Sequence, residues 1–274
     1  MELAAGDLVK IDLGCHIDGY IAVAAHTIEV GYTPNPSAPV TGVKADLWHC
    51  AYHCAEVATR MLRPGNKNAQ ITEAMKKICE AFGVQSITGT LMHQMKRYVI
   101  DGNKMVLLRE EPEHKVDQCT FEANEVYAID IAVSSGEGKP RELDARTTVF
   151  KRVVDQQYSL RIKGSRQFFN EVNKRFPTLP FSIRSFSDER NARLGIRECV
   201  AHNLLVAYPV LYERAGDLMV HIKMTVLIMP NGNIKITGMN MPEGYQTEKS
   251  LPEDIVKWLE ENPAPVKKDR KKKK

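Results

Sequence analysis

The 274-residue sequence predicts an α+β fold, and three observations predict it. Period-2 apolar runs open the chain and return in its middle and near its end. Two amphipathic helical segments lie between the first and second groups of strands. A helix-rich stretch then interrupts the strands, and no internal repeat at a solenoid period is present.

The elements follow in order. Val9, Ile11 and Leu13 alternate with Lys10 and Asp12 at strand spacing, Asp18-Gly19 signals a tight turn, and Tyr20 to Val30 supplies the returning strand. With that turn, opposed positions pair Asp12 with Ala25, and Val23 lies on the diagonal of the same face. After Pro34, Pro36 and Pro39, a helix is expected over 44–62, with Leu47, Ala51, Cys54, Ala55, Ala58 and Leu62 on one face and Pro64-Gly65 ending it. A second helix places Ile71, Met75, Ile78 and Phe82 inward and stops at Gly83. Glu125 to Val133 and Arg146 to Val153 read as strands, with Ser135-Gly-Glu-Gly-Lys139 as the hairpin turn between them. Helices follow around Phe169, Val172 and Phe176, and around Ala192, Ile196, Val200 and Leu204. Leu218 to Met229 is a long strand, Pro230-Asn-Gly232 a turn before Ile234 to Ile236, and 252–262 a closing helix. The expected organisation is therefore a domain over 1–262, a helical insertion over 158–215, and a tail over 263–274.

The net charge of +4 is unevenly spread: Lys267 to Lys274 hold seven Lys/Arg and one Asp, a net +6, which leaves the body at −2. No run of eighteen apolar residues exists, so no membrane insertion is expected. Six scattered cysteines do not make a disulfide framework and suggest reduced thiols. His49-Cys50 and His53-Cys54 repeat at i,i+4 and suggest zinc. Cys54 falls on the apolar stripe and both histidines away from it, so a buried cysteine with surface histidines is the better reading. The glycine-rich 135–139 segment lacks P-loop spacing, and no Gly-x-Ser-x-Gly elbow is present.

Several motifs occur in one order across nearly the whole chain: Lys10-Ile-Asp-Leu-Gly14, the hairpin through His26-Thr27, Met92-His93, Glu125-Val-Tyr-Ala-Ile-Asp130 and Ile222-Lys-Met-Thr-Val-Leu227. This order resembles type 2 methionine aminopeptidases, two-metal enzymes with a pita-bread fold. Ser134-Ser-Gly-Glu-Gly-Lys139, Arg146-Thr-Thr148, Val226-Leu-Ile-Met-Pro-Asn-Gly232 and the lysine tail look more like their non-enzymatic relatives, the proliferation-associated (ErbB-receptor-binding) protein family. The resemblance implies a pita-bread fold carrying the helical insertion. Relatives begin with a further segment before Gly6, so a chain lacking that opening piece, with lower stability and an exposed sheet edge, is expected.

Carried over one at a time, the five metal ligands fall on Asp12, Val23, His93, Asp130 and Lys223. Asp12 and His93 are kept, Asp130 is a shorter carboxylate than the usual glutamate, Val23 has no donor atom, and Lys223 is a cation. The outer pocket histidine falls on Asp101. Two bridging anions are lost and one positive charge is added, so a paired-metal site is not expected to assemble and no cofactor is expected. Lys223 is expected to stand in electrostatically for the metals among Asp12, Asp130 and His93, or else to extend to solvent.

The resemblance further implies RNA and ribosomes as partners, in ribosome biogenesis, translation control or growth regulation, with cytoplasmic, nuclear and nucleolar location. Protein partners are also permitted. Lys267, Lys268, Arg270, Lys271, Lys272, Lys273 and Lys274 are the nucleic-acid candidates: such a run attracts phosphate without reading sequence, or serves as a nuclear-import signal. Arg184, Arg190, Arg193 and Arg197 could extend this basic footprint or simply form a solvated helix face. The alternative function is an active metallo-aminopeptidase removing N-terminal methionine, with Asp12, His93 and Asp130 on a single ion.

Overall fold

The computed structural model describes residues 2–263. Two compact units divide the chain, one made of Met1–Lys139 with Glu213–Lys274 and the other of Pro140–Tyr212.

The first unit opens with β1 (Leu8–Ile17) and β2 (Tyr20–Glu29), paired so that Asp12 faces Ala25. Asp18 and Gly19 between them have φ of 50° and 84°, the positive pair that a two-residue hairpin turn matched to strand twist requires. Gly19 has a second reason to be glycine. A Cβ there would lie 2.6 Å from the ring of Tyr98, whose backbone N–H donates to the Gly19 carbonyl at 2.9 Å. Arg97 Nε donates to the Asp18 carbonyl at 2.8 Å, so the hairpin tip is clamped from a neighbouring loop.

Two helices follow. In α1 (Val43–Met61) Leu47, Trp48, Ala51, Cys54, Ala55 and Ala58 are buried. The next helix, α2 (Asn68–Phe82), starts where Gln70 Oε1 accepts the Lys67 N–H at 2.7 Å. It stops at Gly83, whose φ of 62° gives the left-handed cap. The sheet then continues with β3 (Gln85–Ser86), β4 (Leu91–Met95), β5 (Met105–Leu107) and β6 (Val126–Ser134). The region over 84–124 carries no clean period-2 run, and its short strands were not legible from the sequence.

Within the second unit lie β7 (Arg141–Glu142), β8 (Val149–Arg152), α3 (Lys163–Arg175), β9 (Phe181–Ser182), α4 (Glu189–Ala201), β10 (Leu205–Tyr208) and β11 (Leu211–Tyr212). Its sheet runs β10-β8-β9, and β7 pairs with β11. Phe150, Phe168, Val172, Phe181, Phe186 and Ile196 belong to its own core. Gly195 lets α4 approach α3 closely, since a Cβ there would fall 2.7 Å from Phe168 Cβ. This unit begins at Pro140, so the helical segment read as starting at 158 is joined by the strands before it.

The chain returns to the first unit with β12 (Met219–Leu227), β13 (Ile234–Lys235) and α5 (Glu253–Glu261). The large sheet is antiparallel in the order β1-β2-β12-β6-β4-β5, with β13 on β12 and β3 on β6. Here the expected hairpin between 125–133 and 146–153 is corrected: β6 pairs with β12, and β8 belongs to the other unit. The glycine loop explains this. A Cβ on Gly138 would lie 2.4 Å from the Ser86 carbonyl oxygen, and the Ser135 N–H donates to the Leu218 carbonyl at 2.9 Å. The loop thus folds back on β3 and the start of β12 instead of turning into β8.

Alternation divides the two central strands into two faces. Ile129, Ile131 and Val133 of β6 and Val220, Ile222, Met224 and Val226 of β12 join the residues of α1 and α2 in one core. Each such side chain contributes roughly 1.5–3 kcal/mol by leaving water. The opposite face carries the alternate residues, Ala128 and Asp130 on β6 and His221 and Lys223 on β12, because successive side chains of a strand point to opposite sides.

Candidate functional site

The register of four strands sets a single row across that second face. Asp12 pairs with Ala25, Ala25 with Lys223, and Lys223 with Asp130. Consecutive strands are about 4.8 Å apart, so a lysine in the third can reach carboxylates on the first and fourth. Lys223 Nζ lies 2.6 Å from Asp12 Oδ2 and 3.1 Å from Asp130 Oδ2. The lysine side chain is 16% exposed and that of Asp130 13%, whereas Asp12 at 45% opens to solvent.

One strand step away on β12, His221 Nε2 donates to Asp130 Oδ1 at 2.6 Å. Asp130 is therefore held on both oxygens. Burial works to raise its pKa, but the His221 hydrogen bond and the Lys223 charge outweigh burial and hold the carboxyl below its ordinary range. Lys223 shows the mirror image. Burial would lower it, but Asp130 and Asp12 together raise it. His221 is the member that motif matching did not single out. Its signal was available, since it lies two residues before Lys223 on a strand and so shares its face.

β2 and β12 meet at only one register pair, Lys223 with Ala25. On either side, threonine hydroxyls replace ladder bonds: Thr225 Oγ1 accepts from Val23 N at 2.8 Å, and Thr27 Oγ1 donates to the His221 carbonyl at 2.9 Å. These bonds fix the strand that carries Lys223 against the hairpin that carries Asp12.

The remaining candidates lie beside the row. Val23 is 7% exposed and belongs to a small apolar cluster with Met95 and Ala128. His93 on β4 pairs with Ala128, and its Nδ1 is buried without a hydrogen-bond partner among the described residues. Burial lowers the His93 pKa, opposed by Asp130 and Asp101 and aided by Lys223. The row thus brings Asp12, Lys223 and Asp130 into contact, places His93 within their field, and sets Val23 among apolar side chains.

Two other sequence readings change. His49 and His53 are half-buried instead of lying on the surface: His49 Nε2 bonds the Tyr245 carbonyl at 3.0 Å, and the His53 ring sits 5.6 Å from that of Phe82. Helix α1 is flanked by other chain segments along that side, which an isolated helical wheel does not reveal. Arg184, Arg190, Arg193 and Arg197 are exposed, and Arg193 is engaged by Glu189 at 2.8 Å. The candidates Lys267, Lys268, Arg270, Lys271, Lys272, Lys273 and Lys274 lie outside the described residues. No helix among the described residues is long and apolar enough to cross a membrane.

Comparison with known proteins adds the family. The profile of metallopeptidase family M24 matches residues 1–163. A protein of Solanum tuberosum named ErbB-3 binding protein 1 is 48% identical over 93% of this chain and 65% of its own length. The curved DNA-binding protein of Schizosaccharomyces pombe is 35% identical over 100% of this chain and 71% of its own. The chain thus spans 65% to 71% of the length of these relatives. A solved structure of a thermophilic Arx1 superposes with a TM-score of 0.87 over 97% of this chain and 76% of that one, at 27% identity. With its antiparallel sheet and covering helices, the chain has the pita-bread, methionine-aminopeptidase-like fold and belongs to metallopeptidase family M24, within its proliferation-associated, ErbB-3-binding group.

Proposed function

We propose that this chain is a non-enzymatic member of the M24 family whose former metal pocket is closed by an internal ion network, and that it acts as an RNA- and ribosome-binding factor. The observation that carries the first half is the position of Lys223 Nζ, 2.6 Å from Asp12 and 3.1 Å from Asp130. The family implies a pair of divalent ions, and such a pair needs anionic ligands free to bridge it. Here an ammonium occupies the carboxylates' inner oxygens, an isopropyl group stands at Val23, and Asp130 is further engaged by His221. This donor set does not fit two ions. The pocket has lost the charge that would hold hard cations, and keeps its carboxylates neutralised by lysine.

The second half rests on the sequence and on relatives. Seven Lys/Arg within Lys267 to Lys274 supply a phosphate-attracting segment, and one relative is named for binding curved DNA. Binding of this kind proceeds by counterion release and favours the ribosome's exposed RNA without reading its sequence. Nuclear, nucleolar and cytoplasmic residence goes with that reading.

Ribosome pelleting tests it, with and without residues 267–274, across a salt series. The logarithmic salt slope is expected to fall by roughly 5 on deletion, at about 0.7 per phosphate contact for seven cations. Equal pelleting of both forms at every salt would refute the role of the tail. The peptidase reading draws on the retained Asp12, His93 and Asp130. Turnover of a Met-initiated peptide that is lost in Asp12→Ala would favour it over ours.

A further inference from the structure

On the helix-covered side of the sheet, the described residues bring together a second set of ligand-type side chains. Cys50 and Cys54 lie one turn apart on α1, and Cys79 on the last turn of α2 faces them. Cys50 Sγ is 4.0 Å from Cys54 Sγ and 3.8 Å from Cys79 Sγ, and the three sulfurs all lie within 4.8 Å of one another. Their residues are 0%, 1% and 5% exposed, and none is in a disulfide. Among the described residues, no His, Asp or Glu completes the group with a fourth ligand atom.

We propose that Cys50, Cys54 and Cys79 form a three-thiolate site for a soft monovalent cation, Cu(I). Spacing is the first argument. A metal at the centre of three sulfurs, about 2.3 Å from each, requires them about 4.0 Å apart. Two of the three separations, 3.8 and 4.0 Å, meet that requirement, and the third, between Cys54 and Cys79, is within 4.8 Å, so at most a small side-chain adjustment closes the triangle. Ligand type is the second argument, since an all-thiolate set selects soft ions over the hard cations that carboxylates hold. Number is the third. Zn(II) closes its structural sites with four ligands, and this group offers three, which suits a trigonal monovalent ion.

The surroundings lower the cost of one thiolate, that of Cys79, while hydrogen bonds within the group and burial push the Cys50 and Cys54 thiols well above their ordinary range. Hydrogen bonds from Cys50, Cys54 and Ser86 hold the Cys79 thiol well below its ordinary range against burial. Lys249, whose ammonium bonds the Phe82 carbonyl and pairs with Asp46 at 2.9 Å, adds positive charge that favours the Cys50 thiolate. On binding, copper stays Cu(I), and each thiol still protonated releases its proton to solvent, so uptake strengthens as pH rises. A repeat of His and Cys along α1 suggested zinc from the sequence. The structure gathers a different set, because the third sulfur comes from α2.

The test uses the full chain, reduced and kept free of oxygen, titrated with Cu(I) held by bicinchoninate as a competing chelator. The expected result is one Cu(I) retained per chain with a near-ultraviolet thiolate-to-copper absorption band. Cys50→Ala and Cys79→Ala abolish both, and the exposed Cys15→Ala leaves both unchanged. X-ray absorption on the unmodified chain keeps the proposal testable if those variants do not fold. Three sulfur neighbours at a single distance support it, and a two-coordinate or nitrogen-containing shell overturns it. Absence of uptake by the folded reduced chain overturns it too, and leaves the three thiols as apolar packing. Uptake lost only in Cys15→Ala, or Zn(II) held with the same cysteine dependence, would also reject the assignment.

Discussion

The two faces of β12 differ in what they ask of their residues. Ile222 and Met224 point into a core shared with α1 and α2, while His221 and Lys223 point to the other side, into a row of charges. On the packed face, any change of volume leaves a void or a clash, since interiors are filled to crystal-like density. On the charged face, a ligand set can be exchanged provided that charges still balance. A lysine between two aspartates and a valine beside Met95 and Ala128 satisfy that condition. The sheet thus has an aminopeptidase-like frame, one face of which carries a lysine between two aspartates.

Neighbouring substitutions on this one strand break the comparison in a graded way. Ile222→Ala removes a side chain that is 1% exposed and is expected to cost about 3 kcal/mol, the middle of the range for buried aliphatic truncations. Chemical denaturation would read this as a lower midpoint at unchanged slope. Lys223→Met keeps length and burial but leaves Asp130 facing only His221. A loss of about 2 kcal/mol is expected, below the value for a fully buried pair because Asp12 opens to solvent. Asp12→Asn disturbs the exposed end of the row and should cost about 0.5 kcal/mol, with an effect that shrinks as salt is added. If Lys223→Met proved neutral while Ile222→Ala was costly, the charged row would be decoration and not a structural substitute for metal.

The pH profile sharpens the same contrast, because the charged face holds a carboxylate and an ammonium shifted in opposite directions. Asp130 is lowered in the folded chain, so its contribution is present above about pH 4, the unfolded value, and is lost as pH falls through the folded one. Lys223 is raised, so its contribution is complete below about pH 10.4 and is lost as pH climbs through its folded value. His26, His53 and His93 are lowered, each chiefly by burial, so what they contribute is present above about pH 6.5 and declines on acidification. What these groups contribute should therefore hold between about pH 6.5 and 10, decline in a shallow first step below that, and fall steeply below about pH 4. In Lys223→Met the alkaline loss should shrink to the part set by the buried tyrosines and thiols, Tyr52, Tyr127, Tyr245 and Cys199 among them, and an unchanged alkaline limb would contradict the assignment.

Legibility in the sequence followed locality. The hairpin register pairing Asp12 with Ala25 followed from one Asp-Gly turn, because a two-residue turn fixes every pair behind it. Helices α1 and α5 lie within a residue of their expected bounds, and α2 buries its expected face and stops at Gly83, since apolar stripes and stop signals are local. Pairing between distant strands was less readable. The run ending in Asp130 pairs with β12 and not with the strand that follows it, because a glycine loop packed against β3 decides the direction, and that packing is not written in periodicity. At the site, Asp12, Asp130 and Lys223 were identified as candidates by motif order. His221 was missed because it corresponds to no motif ligand, and the thiol group was missed because Cys79 comes from a second helix.

The central claim is that Lys223 excludes the family's metal pair. The most direct measurement is metal content after the full chain has been loaded with Mn(II) or Co(II) and dialysed, beside a Val23→Asp, Lys223→Glu double variant. Negligible Mn(II) or Co(II) is expected in the parent, and measurable retention in the variant that restores two carboxylates. Near-stoichiometric metal in the parent that is lost in Asp12→Ala would contradict it.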